Sequence, residues 1–376
     1  MPKDGTAAIA PPSRGVGPIQ WLRENLFSSI SNSILTLLAL WLIYELISTV
    51  VAWGVLHATW QGNDGGDCHE GGACWPFVSA WLGQFMYGRY PDPERWRVNL
   101  TYALALAGLA PLMIPRVPGK LYSSLYLLVI FPVLAVILLS GGMLGLAHVP
   151  TDMWGGLLVT LVVSATGIAA AFPLGIVLAL GRRSRMPIVR WFSVGFIEVV
   201  RGVPLITVLF MASVMLPLFL PERWTIDKLV RALIMVALFS AAYLAEVIRG
   251  GLQAIPRGQF EAADALGLAY PQKMALIVLP QALKLVIPGI VGSFIALFKD
   301  TSLVLIIGIY DLLGMAQAAS SNQTWLSPST PMTAYFVAGV IFWVFCFGMS
   351  RYSQMLERRL AAGGQRVAVK TEDADA

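Results

Sequence analysis

The sequence predicts an all-α membrane protein of about eight transmembrane helices. Of its 376 residues, 57% are hydrophobic and only 12% are charged, whereas an average soluble domain carries about 25% charged residues. The mean hydropathy is +0.71. Apolar runs recur along the chain, and several reach the roughly 20 residues that a helix needs to cross a bilayer. A soluble enzyme is therefore a poor interpretation of this composition.

Eight apolar segments are candidate spans. In chain order they lie at 34–56, 98–114, 121–147, 154–180, 191–220, 226–248, 286–309 and 333–352. The second segment is short and contains Pro111, so hydropathy alone supports it least. The positive-inside rule supports it, because eight crossings and a cytoplasmic N-terminus put most Lys and Arg residues, including those at 182–190, on the cytoplasmic side. Both termini are then expected in the cytoplasm.

The chain divides into four parts. Residues 1–30 form a polar, cytoplasmic N-terminal arm, and residues 31–150 contain three additional spans with a long periplasmic loop at 61–97. Residues 151–360 form a block of five spans with short loops, and 361–376 a charged cytoplasmic tail that we expect to be disordered.

Two of the three cysteines, Cys68 and Cys74, lie in the long outside loop. A disulfide between them fits a loop that faces an oxidising periplasm. His57 and His69 lie nearby, but their spacing from the cysteines matches no zinc pattern. We therefore expect a possible disulfide here and no metal site.

The loop at 254–282, between the sixth and seventh predicted spans, has the most specific pattern in the chain. Helix-forming residues at 259–266 precede Gly267, which suits the left-handed position that ends a helix. Pro271 suits the first turn of a second helix, and Pro280 its end or a kink. We therefore predict a helix, a glycine corner and a second helix on the cytoplasmic face, with alanines that let another protein approach closely.

The order of residues in this loop resembles the EAA loop of the permeases of ATP-binding-cassette (ABC) importers. The matching positions are Glu261, Ala262, Ala263, Gly267, Ile277, Leu279 and Pro280. The resemblance implies that 151–360 is a five-helix type I ABC importer permease core. It also implies that the loop is the coupling helix that docks into a groove on the ATPase.

Segments around this loop narrow the resemblance to the permeases of polar amino acid importers. They lie at 196–205, 242–250, 254–258 and 299–303. The three additional N-terminal spans resemble those of the longer permease subunit of the general L-amino-acid importers of Gram-negative bacteria. The implied location is the bacterial inner membrane, and the implied cargo is an amino acid.

The resemblance also implies the partners: an ABC ATPase dimer that holds ATP and Mg²⁺, a second, shorter permease and a periplasmic amino-acid-binding protein. This chain has no phosphate-binding Gly-x-x-x-x-Gly-Lys-Ser/Thr segment, since its Gly119–Lys120 pair is followed by Leu121. We therefore expect a transport subunit that is no enzyme and holds no cofactor. The net charge of +5 follows the membrane sidedness, so nucleic acid is not an expected partner.

Ionisable residues inside spans cost about 2.5–3.5 kcal/mol each on insertion scales, so each needs a structural or functional reason. The candidates for the substrate pathway are Glu198, Arg201, Glu246, Lys299, Asp300, Thr301 and Ser302. We expect Glu198 and Arg201 to pair on one helix face, a structural role that we favour over substrate contact. Lys299 and Asp300 suit the two charges of an amino acid. Adjacent helical residues point about 100° apart, so separate pairing with neighbouring helices is an equal alternative.

Two other functions stay open from the sequence. One is a secondary amino acid transporter driven by an ion gradient, against which the EAA-type loop argues. The other is a scaffold permease subunit that does not itself bind substrate. A membrane-embedded enzyme lacks support, because the three histidines at 57, 69 and 148 form no His-Glu-x-x-His motif.

Overall fold

The computed structural model describes residues 17–114, 117, 119–219, 221 and 226–372. Residues 1–16 of the predicted arm, 373–376 of the tail and the predicted end of the fifth span at 220 lie outside the described residues. Over the described part, seventeen α-helices form, and the only β-type pairs there are isolated bridges. The predicted all-α fold is confirmed.

The N-terminal part contains six α-helices. They are α1 (Pro18–Asn25), α2 (Ile30–Val51), α3 (Trp75–Tyr87), α4 (Arg95–Met113), α5 (Lys120–Leu125) and α6 (Phe131–Ser140). A π-helical turn extends α2 to Leu56, and another joins α5 to α6. The segments Ile30–Leu56 and Lys120–Ser140 are therefore long and apolar enough to cross a membrane.

The C-terminal part contains the other eleven helices. They are α7 (Gly156–Arg182), α8 (Pro187–Gly202), α9 (Leu205–Phe210), α10 (Leu216–Phe219), α11 (Lys228–Ala254), α12 (Arg257–Ala265), α13 (Tyr270–Lys273), α14 (Leu279–Leu285), α15 (Ile287–Asp300), α16 (Leu312–Ser320) and α17 (Ser329–Glu372). The helix α17 continues past the predicted boundary at 360, so the tail begins as a helix rather than as disordered chain.

Within the described residues, six helical segments are long and apolar enough to cross a membrane, and a bent pair can supply a seventh crossing. The bent pair, Pro187–Gly202 and Leu205–Phe219, replaces the predicted continuous fifth span and turns by 103° at its break. The break lies at Val203, which has extended backbone angles (φ −115°, ψ 136°). Pro204 explains it, because a proline ring disfavours helical angles in the residue before it and removes one helical N–H.

The second predicted span forms α4, a helix of 19 residues that is outside the set of clearly apolar spans. It packs beside α5 and α6. The guanidinium of Arg97, near its start, donates to the carbonyls of Leu138 at 3.4 Å and Ala147 at 3.0 Å. Tyr126 donates its hydroxyl to the carbonyl of Leu104 at 3.4 Å. The start of α4 thus lies beside the end of α6, and the two segments form a hairpin.

The centre of the C-terminal part is the close packing of α7 on α11. A Cβ added at Gly175 of α7 would lie 3.1 Å from the Cβ of Leu244 on α11, and one added at Gly167 would lie 3.3 Å from Val236 Cγ1. Small residues at helix contacts let backbones approach closely in membranes. This pair therefore forms a frame on which the remaining helices are arranged.

The predicted outside loop is folded onto the C-terminal part through α3. Phe77 and Phe85 of α3 are buried in one apolar cluster with Leu312, Met315 and Trp325. At the end of α3, Gly88 has φ +67°. A Cβ at this position would lie only 2.3 Å from Gly155 Cα. Only glycine satisfies both conditions, so this contact fixes how the N-terminal part joins the core.

Candidate functional site

The predicted corner after α12 forms at Gly267. The N–H of Gly267 donates to the Asp264 carbonyl at 3.0 Å, and the N–H of Leu268 donates to the Ala263 carbonyl at 3.2 Å. Gly267 itself has φ +71°. This bond pair and a left-handed glycine make a Schellman motif, which satisfies the last carbonyls of the helix. The predicted conformation of Gly267 is confirmed.

The second helix begins at α13 and continues further than predicted. Pro271 lies in its first turn, and Gln272 Oε1 accepts a hydrogen bond from the N–H of Ala269 at 3.1 Å. A π-helical turn at Met274–Val278 then leads into α14, whose first turn contains Pro280. The helix does not end at Pro280. A π-helical turn precedes Pro280, because the proline can make no i→i−4 hydrogen bond and its ring needs room.

One face of α12 packs against neighbouring helices, and the opposite face is exposed. Ala263 is fully buried, whereas Glu261 and Ala262 are exposed and Leu266 is 74% exposed. The other predicted coupling positions differ in exposure: Ile277 and Leu279 are half-buried, and Gly267 and Pro280 are exposed. The geometry therefore presents a short helix whose exposed face carries the carboxylates of Glu261 and Asp264, the small side chain of Ala262 and the apolar side chain of Leu266.

Side-chain contacts hold α12 against its neighbours. Gln281 of α14 donates to Gln259 Oε1 at 3.0 Å, and Lys273 Nζ contacts the carboxylate of Asp264. The guanidinium of Arg183, just after α7, lies 5.9 Å from the ring centre of Phe260. The helix α12 is thus tied to α7, α13 and α14, so a displacement of α12 pulls on all three.

A cluster of charges lies where α7, α8 and α11 meet. Arg182 is 3.0 Å from Glu198 Oε1 and 2.9 Å from Glu246 Oε1. Arg249 is 2.8 Å from the other oxygen of Glu246, which Arg201 approaches at 3.9 Å. The predicted pairing of Glu198 with Arg201 is therefore wrong. Glu198 pairs with Arg182, a contact between helices that spacing along a single helix does not reveal.

Arg182 and Arg183 were not among the candidate site residues. In the sequence they are two of several basic residues at 182–190, a pattern that indicates membrane sidedness and no more. Their carboxylate and aromatic partners lie 16 or more positions away. No local pattern could have identified them.

Lys299 and Asp300 lie at the end of α15 and do not join this cluster. Lys299 is exposed and Asp300 half-buried, and neither makes an ion pair with any residue that the structure describes. Thr301 is buried and donates to the Phe298 carbonyl at 2.8 Å, and Ser302 donates to the Lys299 carbonyl at 3.0 Å. Both hydroxyl groups thus bond to the backbone where α15 tightens into a 3₁₀ turn.

On the opposite side of the molecule, Cys68 and Cys74 form a disulfide. The N–H of Cys74 donates to the hydroxyl of Thr333, in the first turns of α17, at 3.0 Å. Within the described ranges no three metal-ligating side chains come together. The disulfide loop therefore belongs to the packing between the N-terminal part and α17.

Residues 171–362 match the family of binding-protein-dependent transport system inner membrane components. The chain belongs to this family. It is 54% identical over 343 residues to the inner membrane amino-acid ABC transporter permease protein YhdY of Escherichia coli K12, covering 91% of this chain and 93% of that protein. It is 40% identical to the glutamate/glutamine/aspartate/asparagine transport system permease protein BztC of Rhodobacter capsulatus. That alignment covers 94% of this chain and 97% of BztC.

A shorter relative separates the core from the additional helices. The glutamate/aspartate import permease protein GltK of Escherichia coli O6:H1 is 33% identical over 211 residues, which is 55% of this chain but 92% of that protein. About half of this chain therefore aligns with most of a shorter permease, and YhdY and BztC also match residues beyond that half. This chain is an amino acid ABC transporter permease, a multi-pass inner membrane protein and a transport subunit rather than an enzyme.

Proposed function

We propose that this permease forms the translocation path for polar amino acids together with a second, shorter permease, and that α12 couples this path to an ATPase dimer. The observation that carries the proposal is the α12 corner. Ala263 fixes the helix from inside, Gly267 ends it sharply, and Glu261, Ala262 and Leu266 project outward. A short, rigid helix that exposes small side chains beside one apolar side chain suits insertion into a groove on another protein.

ATP and Mg²⁺ bind in the partner ATPase under this proposal, and closure of the ATPase dimer displaces α12. The contacts of α12 with Arg183, Lys273 and Gln281 then pass the displacement to the membrane helices. A loaded periplasmic binding protein delivers the amino acid on the other side. The cycle is one of alternating access between two arrangements of the same helices.

Lys299 and Asp300 are the proposed contacts for the cargo within this chain. Both lack an ionic partner among the described residues, and a charged group in a membrane protein normally has one. An amino acid brings a carboxylate and an ammonium that can complement them. If Lys299→Gln and Asp300→Asn leave the uptake KM unchanged, this chain is the passive scaffold of the pair and the second permease holds the substrate.

The names of the relatives support a class of cargo. They mention glutamate and aspartate in one protein, and glutamate, glutamine, aspartate and asparagine in another. We therefore propose acidic amino acids and their amides as the first substrates to test. Competition of each with a labelled amino acid in uptake assays ranks them directly.

The first test is purification of the tagged chain in mild detergent from its native host, followed by identification of the proteins that accompany it. An ATPase together with a shorter permease is the expected result. A lone chain that still takes up amino acids after ATP depletion would instead establish a secondary transporter driven by an ion gradient.

The coupling role of α12 is tested with Glu261→Lys in the reconstituted complex. Reversal of the charge on the outer face should abolish ATPase assembly, or leave ATP hydrolysis without uptake. The matched control is Gln253→Lys, since Gln253 is exposed on α11 just before α12. Normal uptake by Glu261→Lys would exclude this surface as the ATPase contact.

A further inference from the structure

Arg182, in the last turn of α7, joins two other helices. Its Nη2 atom is 3.0 Å from the carboxylate of Glu198 on α8, and its Nη1 atom is 2.9 Å from the carboxylate of Glu246 on α11. The side chain of Glu246 is only 14% exposed, whereas that of Glu198 is 57% exposed. The contact with Glu246 is therefore the less screened of the two.

Arg183, the next residue, points to different partners. Its Nη1 atom donates to the carbonyl of Leu252 in the last turn of α11 at 2.9 Å. Its guanidinium also lies over the ring of Phe260 in α12, 5.9 Å from the ring centre. An arginine held over an aromatic face gains a cation–π attraction. One side chain thus connects α7, α11 and α12.

The end of α7 has little freedom to move independently of α8. A Cβ added at Gly181 would lie 2.2 Å from Ser193 Oγ on α8. The two helices are therefore in close contact one residue before Arg182. A displacement of this end of α7 is therefore transmitted to α8 through packing as well as through the ion pair of Arg182 with Glu198.

We propose that Arg182 and Arg183 are positioning residues that transmit the movement of α12 to α8 and α11. The proposal rests on the coupling role of α12 proposed above. Arg183 receives the movement through Phe260. Arg182 passes it on, because its planar fork can hold Glu198 and Glu246 at the same time, which a lysine cannot do in the same geometry.

The experiment uses the complete transporter in proteoliposomes, with uptake and ATP hydrolysis measured in the same vesicles. For Arg182→Gln and Arg183→Gln we expect assembly and basal hydrolysis to be retained, while uptake per ATP falls about tenfold, a typical size for coupling between sites. Arg182→Lys should be intermediate. The matched control is Arg185→Gln, since Arg185 is exposed and makes no ion pair within the described chain.

Phe260 supplies a second test that does not depend on how the arginine variants fold. Phe260→Leu should lower uptake per ATP as Arg183→Gln does, whereas Phe260→Tyr keeps the aromatic face and should retain it. The double variant Arg183→Gln/Phe260→Leu should be no worse than Arg183→Gln alone, because Arg183→Gln already removes the contact with Phe260.

The relay is overturned if Arg182→Gln and Arg183→Gln keep the uptake per ATP of Arg185→Gln, or if Phe260→Tyr is as impaired as Phe260→Leu. Failure of the coupling role itself looks different. In that case Glu261→Lys also keeps normal uptake, because α12 does not contact the ATPase.

Discussion

Gly267 has a backbone conformation that other residues adopt only at a cost. Its φ is +71°, and a Cβ there would meet nothing within 4 Å, so Gly267→Ala adds backbone strain without a clash. The strain is about 1–2 kcal/mol. We expect a lower melting temperature and a weaker corner after α12, measured by thermal unfolding and by the amount of ATPase that co-purifies.

The control for this substitution lies in the same helix. Gly258, in the first turn of α12, likewise has open space around it, but its φ is not positive. Gly258→Ala should therefore be neutral or slightly stabilising, because alanine favours the helix. Equal effects of the two substitutions would contradict the importance of the left-handed corner.

Asp311, outside the candidate spans, is a fully buried carboxylate at the start of α16. Burial raises its pKa from 3.8 to about 6, while hydrogen bonds donated by the backbone N–H groups of Leu313 and Gly314 lower the pKa in part. Since the folded-state pKa is higher, the folded protein binds more protons than the unfolded chain between about pH 4 and 6. Stability should therefore fall as the pH rises through this window.

Asp311→Asn isolates this contribution, because asparagine still caps the helix but does not titrate. The rise of the Asp311 pKa from 3.8 to about 6 corresponds to a pH-dependent contribution of about 3 kcal/mol to the free energy of unfolding. As the pH rises from about 4 to about 7, the melting temperature of the variant should increase relative to that of the unmodified protein. Parallel curves for the two proteins would mean that Asp311 does not titrate in this range.

At the scale of elements, the disulfide loop is closed by one covalent link within it and is held on the core by packing. The Cys68–Cys74 link spans a sequence separation of 6, so a loop this short gains about 2 kcal/mol from closure in the chain-entropy estimate. Replacement of both cysteines by serine should lower the melting temperature and speed tryptic cleavage near Arg89, which is exposed.

Cys346 provides the control for the disulfide variant. It is a free, partly buried thiol in α17, and Cys346→Ala should leave both measurements nearly unchanged. If reduction with dithiothreitol alters neither melting nor cleavage of the unmodified protein, the link does not stabilise the loop.

Local chain chemistry predicted some elements well. The corner at Gly267 follows from the backbone freedom of glycine and was predicted. The break before Pro204 has an equally local cause in proline, although a continuous span was expected there. The π-helical turn before Pro280 could not be predicted, since a proline can end, kink or widen a helix according to what packs around it. The pairing of Glu198 with Arg182 was missed for a related reason, because it depends on how α7 and α8 meet.

The helix α3 illustrates a different limit. Its residues lie in the 61–97 segment, which the sequence predicts as an outside loop. The structure gives it the role of a packing element, with Phe77 and Phe85 covered by α16 and its neighbours. The loop prediction gave these apolar side chains no role, and only the tertiary contacts explain why the segment is apolar.

At the scale of the whole molecule, the number of crossings depends on α4. The six apolar segments and the bent pair give seven crossings, and an odd number would put the two termini on opposite sides. The hairpin contacts of Arg97 with Leu138 and Ala147 place the start of α4 beside the end of α6. Since Lys120–Ser140 spans 21 residues and α4 runs alongside it, α4 should cross as well.

Cysteine labelling in intact cells tests this topology. In a Cys346→Ala background, Asn63→Cys should react with a membrane-impermeant maleimide from outside, because the 61–97 loop is periplasmic if α2 leaves the cytoplasm. Lys120→Cys, at the turn after α4, should react only once the membrane is permeabilised. Both target residues are exposed, so access depends on the side of the membrane. Labelling of Lys120→Cys from outside would make α4 an interfacial helix and leave seven crossings, with the termini on opposite sides.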